Sequence, residues 1–138
     1  MLGLIVVMTC SAQQASDLLG TWVSVDDATG KHKSEVTITR EADGTFAGTV
    51  TKILPPAPQD ALCEACEGND KNKPILGLKI IKDMKWNDGE LSDGEIMDPE
   101  NGKTYRCKIW LDTDNLDLLN VRGYVAFFYR TQTWIRKP

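Results

Sequence analysis

Few residues in this chain are of a type and spacing that could do chemistry. Cys63-Glu-Ala-Cys66 puts two thiols three residues apart, a spacing that suits a loop-clipping disulfide, half of a zinc site or a redox-active pair. Zinc needs four ligands, and beyond this pair the chain past residue 12 offers only Cys107 and His32. Redox work favours such a pair at the start of a helix that follows a strand, and no such context surrounds residues 63–66. The disulfide reading therefore leads, metal comes second and redox activity third. Asp98 and Glu100 could form an acid/base carboxylate pair, but Asp98-Pro-Glu-Asn-Gly-Lys103 is also what a tight hairpin requires. Asp112-Thr-Asp-Asn-Leu-Asp117 has calcium-like spacing without the central Gly or the distal Glu of a calcium loop, and reads as a solvated turn.

Composition narrows the choice further. One histidine in 138 residues removes most hydrolase triads and histidine-rich metal sites. Sixteen basic residues against 20 acidic ones give a net charge of -4, without a basic run that could track a phosphate backbone, so no nucleic acid is expected. No cofactor or metal is implied.

The elements that must position these residues are strands. Gly20–Val25 reads as the first, and in the next Val36 and Ile38 alternate with Glu35, Thr37 and Thr39. Turn residues at Asp26–Gly30 and Glu41–Gly44 make two hairpins with the run that ends at Ile53. Leu54–Pro74 is irregular: Pro55, Pro56 and Pro58 exclude a central strand, and a connection of about twenty residues implies a role of its own. Strand signals resume at Ile75–Ile81 and Met84–Trp86, and again at Gly94–Asp98. In Lys103–Leu111, Tyr105, Cys107, Ile109 and Leu111 share one face, which makes Cys107 a buried thiol. Leu116–Arg122 follows, and the last strand runs from about Val125 to Arg136. That strand carries aromatics on both faces, with Arg130 and Gln132 in apolar company alongside Arg122. If buried they must be paired, either as structural locks or to orient an acidic ligand.

About eight antiparallel strands with short turns protect their edges most economically by closing, so the expected fold is an all-β, eight-stranded antiparallel β-barrel with a short N-terminal helix at Gln14–Leu19. An open sandwich is the alternative. An eight-stranded interior is either filled by side chains or holds one small ligand.

Met1–Ala12 contains no charge and is dominated by Leu2, Leu4, Ile5, Val6, Val7 and Met8. It reads as the apolar part of a secretory signal with cleavage after Ala12, which leaves residues 13–138 as a single barrel domain. It is too short to span a bilayer, and no transmembrane helix is expected in the mature chain. Lipid attachment at Cys10 is a second, disfavoured option. The expected location is the periplasm or cell envelope.

Gly20-Thr-Trp22, Pro74-Ile-Leu-Gly-Leu78, Asp98-Pro-Glu-Asn-Gly-Lys-Thr-Tyr105, Val121-Arg-Gly-Tyr124 and Arg130-Thr-Gln-Thr-Trp134 together resemble an uncharacterised bacterial family known as domain of unknown function 2147. The resemblance implies an exported, lipocalin-like barrel and no particular activity. Lipocalins begin their first strand with Gly-x-Trp and pack a late arginine across that indole; Trp22 matches the first half, and Arg130 or Arg136 could supply the second.

The leading functional expectation is a non-enzymatic barrel that binds a small apolar or amphipathic molecule, with Trp22, Tyr105, Phe127, Tyr129, Arg130 and Trp134 as candidate contacts. Trp22 reads more naturally as a core plug. The alternative is an envelope module that docks a protein partner through the Pro/Cys loop or exposed aromatics. A thiol redox protein using Cys63 and Cys66 is third.

Overall fold

A computed structural model describes residues 2–5 and 14–138. Leu2, Leu4 and Ile5 are exposed and belong to no element; the remainder of the expected signal segment, with Cys10 and the junction after Ala12, lies outside the described residues.

Eight strands form one closed antiparallel barrel in chain order: β1 (Gly20–Val25), β2 (His32–Arg40), β3 (Phe46–Ile53), β4 (Lys79–Asn87), β5 (Glu90–Met97), β6 (Thr104–Leu111), β7 (Leu118–Val125) and β8 (Phe128–Arg136). The barrel is favoured over the open sandwich because β1 pairs with β8, through Trp22↔Arg136 and Val23↔Ile135. The expected N-terminal helix is only a four-residue 3-10 turn, Ala15–Leu18. So short a segment ahead of Gly20 cannot offset the cost of nucleating an α-helix, and burial of Leu18 under the barrel holds the turn instead.

Two segments differ from their sequence signals. Ile75–Leu78 stays in the long loop, bonded to β3 by Gly77 N–H to the Val50 carbonyl (2.8 Å) and Val50 N–H to the Leu78 carbonyl (2.9 Å). The expected final strand from Val125 is really the end of β7, a two-residue turn and β8, with Val125 opposite Phe128. Ala126 occupies that turn at φ 50°, a conformation usually left to glycine.

The period-2 alternation buries one face of β1, β6 and β7, and register irregularities interrupt it in β3, β4 and β5. Trp22, Val36, Ile38, Val50, Ile81, Met84, Leu91, Ile109, Leu111 and Leu119 are almost wholly removed from solvent. At the end of the barrel where β1 begins, Trp22 forms the floor. Its indole N–H donates to the Leu18 carbonyl (3.0 Å), and the Arg136 guanidinium lies over its ring at 4.2 Å. Arg136 Nη2 also donates to the carbonyls of Asp17 (2.9 Å) and Leu116 (3.1 Å), and its Nε is 3.3 Å from an Asp117 carboxylate oxygen. Arg136, rather than Arg130, is therefore the arginine on the Trp22 indole.

The opposite end is partly covered by the loop between β3 and β4. A bridge between Leu62 and Pro74 and the Cys63–Cys66 disulfide fold this loop into a compact unit, with both cysteines buried. The Cys66 sulfur lies 3.6 Å from Met97 Sδ, and Cys63 Sγ lies 3.6 Å from the Pro99 carbonyl, so the loop rests on the β5–β6 turn. Gly102 makes this contact feasible: its φ is 71°, and a Cβ there would overlap the Ala65 carbonyl. Gly102→Ala is expected to lose about 2–4 kcal/mol through backbone strain and overpacking. Urea unfolding, together with faster proteolysis within residues 54–78, measures it; an unchanged midpoint would mean that the loop is not seated on this turn.

Candidate functional site

On β8, Phe128, Arg130, Gln132 and Trp134 occupy alternate positions, and burial of Trp134 in the core shows that this face points inward. The register brings Leu119, Val121, Gly123 and Val125 of β7 opposite Trp134, Gln132, Arg130 and Phe128. Along this face the surroundings change from core to solvent, because β1 and β8 pair only near the floor and β1 has no paired partner on β8 beyond Val23.

Side chains bridge the seam. Arg130 grips Asp27 with two bonds, Nε to Oδ2 at 3.0 Å and Nη2 to Oδ1 at 2.7 Å. Gln132 Nε2 donates to the same carboxylate at 3.4 Å, and the Trp134 indole N–H donates to Gln132 Oε1 at 2.9 Å. Nearby on the inward face of the β1–β2 hairpin, the Ser24 and Ser34 hydroxyls are 2.8 Å apart. Tyr105 lies two residues before Cys107 on the inward face of β6 and is half-buried beside Gly123, and its hydroxyl accepts a bond from Asn101 Nδ2 at 3.1 Å. The open end thus carries a few fixed polar groups, while Trp22 and its neighbours fill the interior below.

Burial pushes the Asp27 carboxyl up, but the bonds from Arg130 and Gln132 outweigh it and hold the group below its ordinary value of 3.8; the same carboxylate raises Arg130. Cys107 is an inert interior thiol, pushed up to about 12 by burial.

The six candidate contacts do not form one pocket. Trp22 is the floor plug and Trp134 a core residue, whereas Tyr105 and Arg130 stand at the open end. Phe127 is 98% exposed at the β7–β8 tip, beside Phe128 at 75%. Tyr129 points outward from β8, where its ring lies 4.1 Å from the Arg122 guanidinium and 6.1 Å from Tyr124. The hairpin at Ala126 and Phe127 explains this placement: Phe127 is a turn residue, and the alternation puts Tyr129 outside.

The other motifs resolve as turns. Asp98 Oδ1 accepts from Glu100 N–H (2.9 Å) while Glu100 pairs with Lys33 (2.8 Å), so the two acids do not act as a pair. Asp112 Oδ1 accepts from the N–H groups of Asp114 and Asn115, and among the described residues no group of three or more His, Cys, Asp or Glu could hold a metal. Asp27 carries no sequence signal beyond its place in a turn, since its partner lies across the seam. Glu35, on the expected polar face of β2, is buried with Lys137 at 2.8 Å.

A closed eight-stranded antiparallel barrel with an arginine-sealed tryptophan floor is a lipocalin-like architecture. Residues 20–136 match the family described as "Uncharacterized protein conserved in bacteria (DUF2147)", and the chain belongs to that family. Among solved structures it is similar to protein HP1028 of Helicobacter pylori, described as belonging to the lipocalin family, with a TM-score of 0.73 at 17% identity over 88% of this chain and 83% of that one. No curated protein matches the chain. At that identity the likeness shows the fold. Among the described residues no helix is long and apolar enough to cross a membrane.

Because the folded-state pKa of Asp27 lies below its unfolded value, its ion pair stabilises the barrel above about pH 4 and ceases to do so as pH falls through the folded value. Arg130 is largely exposed, so solvent screening keeps the contribution to about 1 kcal/mol or less. Asp27→Asn should therefore melt a few degrees below wild type at pH 7 and converge with it as the pH falls through the lowered folded-state value, read from thermal melts across pH. A constant difference at all pH values would refute the linkage.

Proposed function

We propose that this protein is an exported, non-enzymatic barrel that binds a small apolar or amphipathic molecule at the end opposite Trp22. One observation carries this reading: the inward face of β8 leaves the filled core at Trp134 and continues through Gln132 and Arg130 to exposed Phe128, placing oriented polar groups beside apolar surface. Such a combination suits a ligand with a polar head, which would be met by the Arg130–Asp27–Gln132 network. Ligand sites with few polar groups on apolar walls recur at the mouths of β-barrels. Export is supported by the uncharged, apolar start of the chain and by the buried Cys63–Cys66 disulfide, a bond at home in oxidising compartments.

A second reading is favoured by the consecutive exposure of Val125, Phe127, Phe128 and Tyr129: the β7–β8 tip docks an envelope protein. Burial of both disulfide cysteines beneath the β5–β6 turn supports a loop clip over redox activity.

Native mass spectrometry of protein purified gently from an envelope fraction, followed by titration with a long-chain fatty acid as amphipathic probe, tests the leading reading. A one-to-one adduct is expected, weakened about tenfold by Arg130→Ala, which dismantles the polar network at the mouth and leaves Asp27 unpaired. Absence of any adduct across fatty acids, lysolipids and apolar probes would overturn it.

A further inference from the structure

The outer face of β6, β7 and β8 holds a charged feature that the mouth does not use. Lys108 and Arg122 are directly opposite each other on β6 and β7, and two like charges in that position destabilise a sheet. Arg122 is nevertheless held fast. Its guanidinium lies 4.9 Å from the Trp110 ring and 4.1 Å from the Tyr129 ring, and its Nε donates to Thr131 Oγ1 at 2.9 Å. Among the described residues no carboxylate lies within ion-pair distance of Arg122, and no acceptor bonds its Nη atoms, although acidic residues outnumber basic ones in the chain. Among the described residues that line the site the acid is Glu90, whose Oε1 is 3.5 Å from Lys108 Nζ. Lys108, Trp110, Arg122 and Glu90, with Leu111 and Thr113, line a surface cleft of about 240 Å³.

An arginine fixed by aromatic rings with its terminal nitrogens unspent is pre-organised for a planar, two-point acceptor, because ordering it on binding costs little. A second cation facing it supplies the charge that one acid only partly offsets. We propose that this cleft is an oxyanion site, in which a carboxylate or phosphate group takes two bonds from Arg122 Nη atoms and a third contact from Lys108. It is separate from the barrel mouth: Arg122, Trp110 and Tyr129 point outward, whereas Arg130, Gln132 and Trp134 point inward.

The test is a titration of the full folded chain by ¹⁵N–¹H NMR with sodium phosphate, sodium acetate and sodium chloride at constant ionic strength, following the Arg122 Nε–H and Trp110 indole N–H signals. Saturable shifts with phosphate alone assign a phosphoryl ligand, with acetate alone a carboxylate, and with both a general oxyanion site. Arg122→Lys keeps the charge but not the fork, and should weaken binding at least about tenfold. Lys108→Gln should weaken it several-fold and serves as the second variant if the first fails to fold. Shifts that do not saturate, that chloride reproduces, or that survive either folded variant unchanged would overturn the proposal. Signals of Trp134 and Tyr105 report separately on the mouth.

Discussion

The Arg136 guanidinium over the Trp22 indole is the contact on which the rest of the barrel depends. Closing an eight-stranded sheet means joining its first strand to its last across more than a hundred residues, and here that junction is short: two residue pairs and the side chains around them. Arg136 joins in one place the 3-10 turn, the first strand, the β6–β7 turn and the last strand, by stacking on Trp22 and donating to the carbonyls of Asp17 and Leu116. A charge placed against an aromatic face and bonded to carbonyls is stabilising where an unpaired one would be costly. The plug also consumes space, so that the floor of the barrel is protein rather than cavity.

The same short junction leaves the other end open to modification. Beyond Val23 the seam is spanned by the Asp27–Arg130 pair instead of a backbone ladder, and strand β8 runs between the two regimes. Its inward residues pass from Arg136 at the floor, through Trp134 in the core, to Gln132 and Arg130 at the mouth. A single alternating strand thereby supplies a structural lock at one end and oriented polar groups at the other. The disulfide-clipped loop borders this end, with Gly102 allowing it to sit close to the β5–β6 turn.

Much of this was legible from residue pattern. Val36 and Ile38 in β2, and Tyr105, Cys107, Ile109 and Leu111 in β6, follow the period-2 rule because they face the core, although Glu35 on the other face of β2 is buried as well. The Asp98–Lys103 turn follows from local chemistry, and the disulfide reading leads among three for Cys63 and Cys66, which the structure joins. What pattern could not supply was long-range register. The choice between Arg130 and Arg136 as partner of Trp22 depends on how β8 slides against β1, and Asp27 gains its role only once that seam is set. The Ala126–Phe127 turn escaped for a different reason: it lacks the glycine or asparagine that normally marks such a turn, and it sits between strong strand formers. That one turn moves Phe127 to the tip and separates it from Trp134. A 3-10 turn in place of a helix at Ala15–Leu18 reflects burial of Leu18 overriding a weak local preference.

A filled floor and a polar-rimmed mouth make opposite demands on where a ligand can sit. The most direct measurement is paramagnetic line broadening in the ¹⁵N–¹H spectrum of the folded chain when a spin-labelled long-chain fatty acid is added. The expected result is broadening of the Gln132 side-chain amide, the Gly123 amide and the Trp134 indole, with the Trp22 indole unaffected. Broadening centred on Trp22 and Leu18, with the mouth signals sharp, would contradict it.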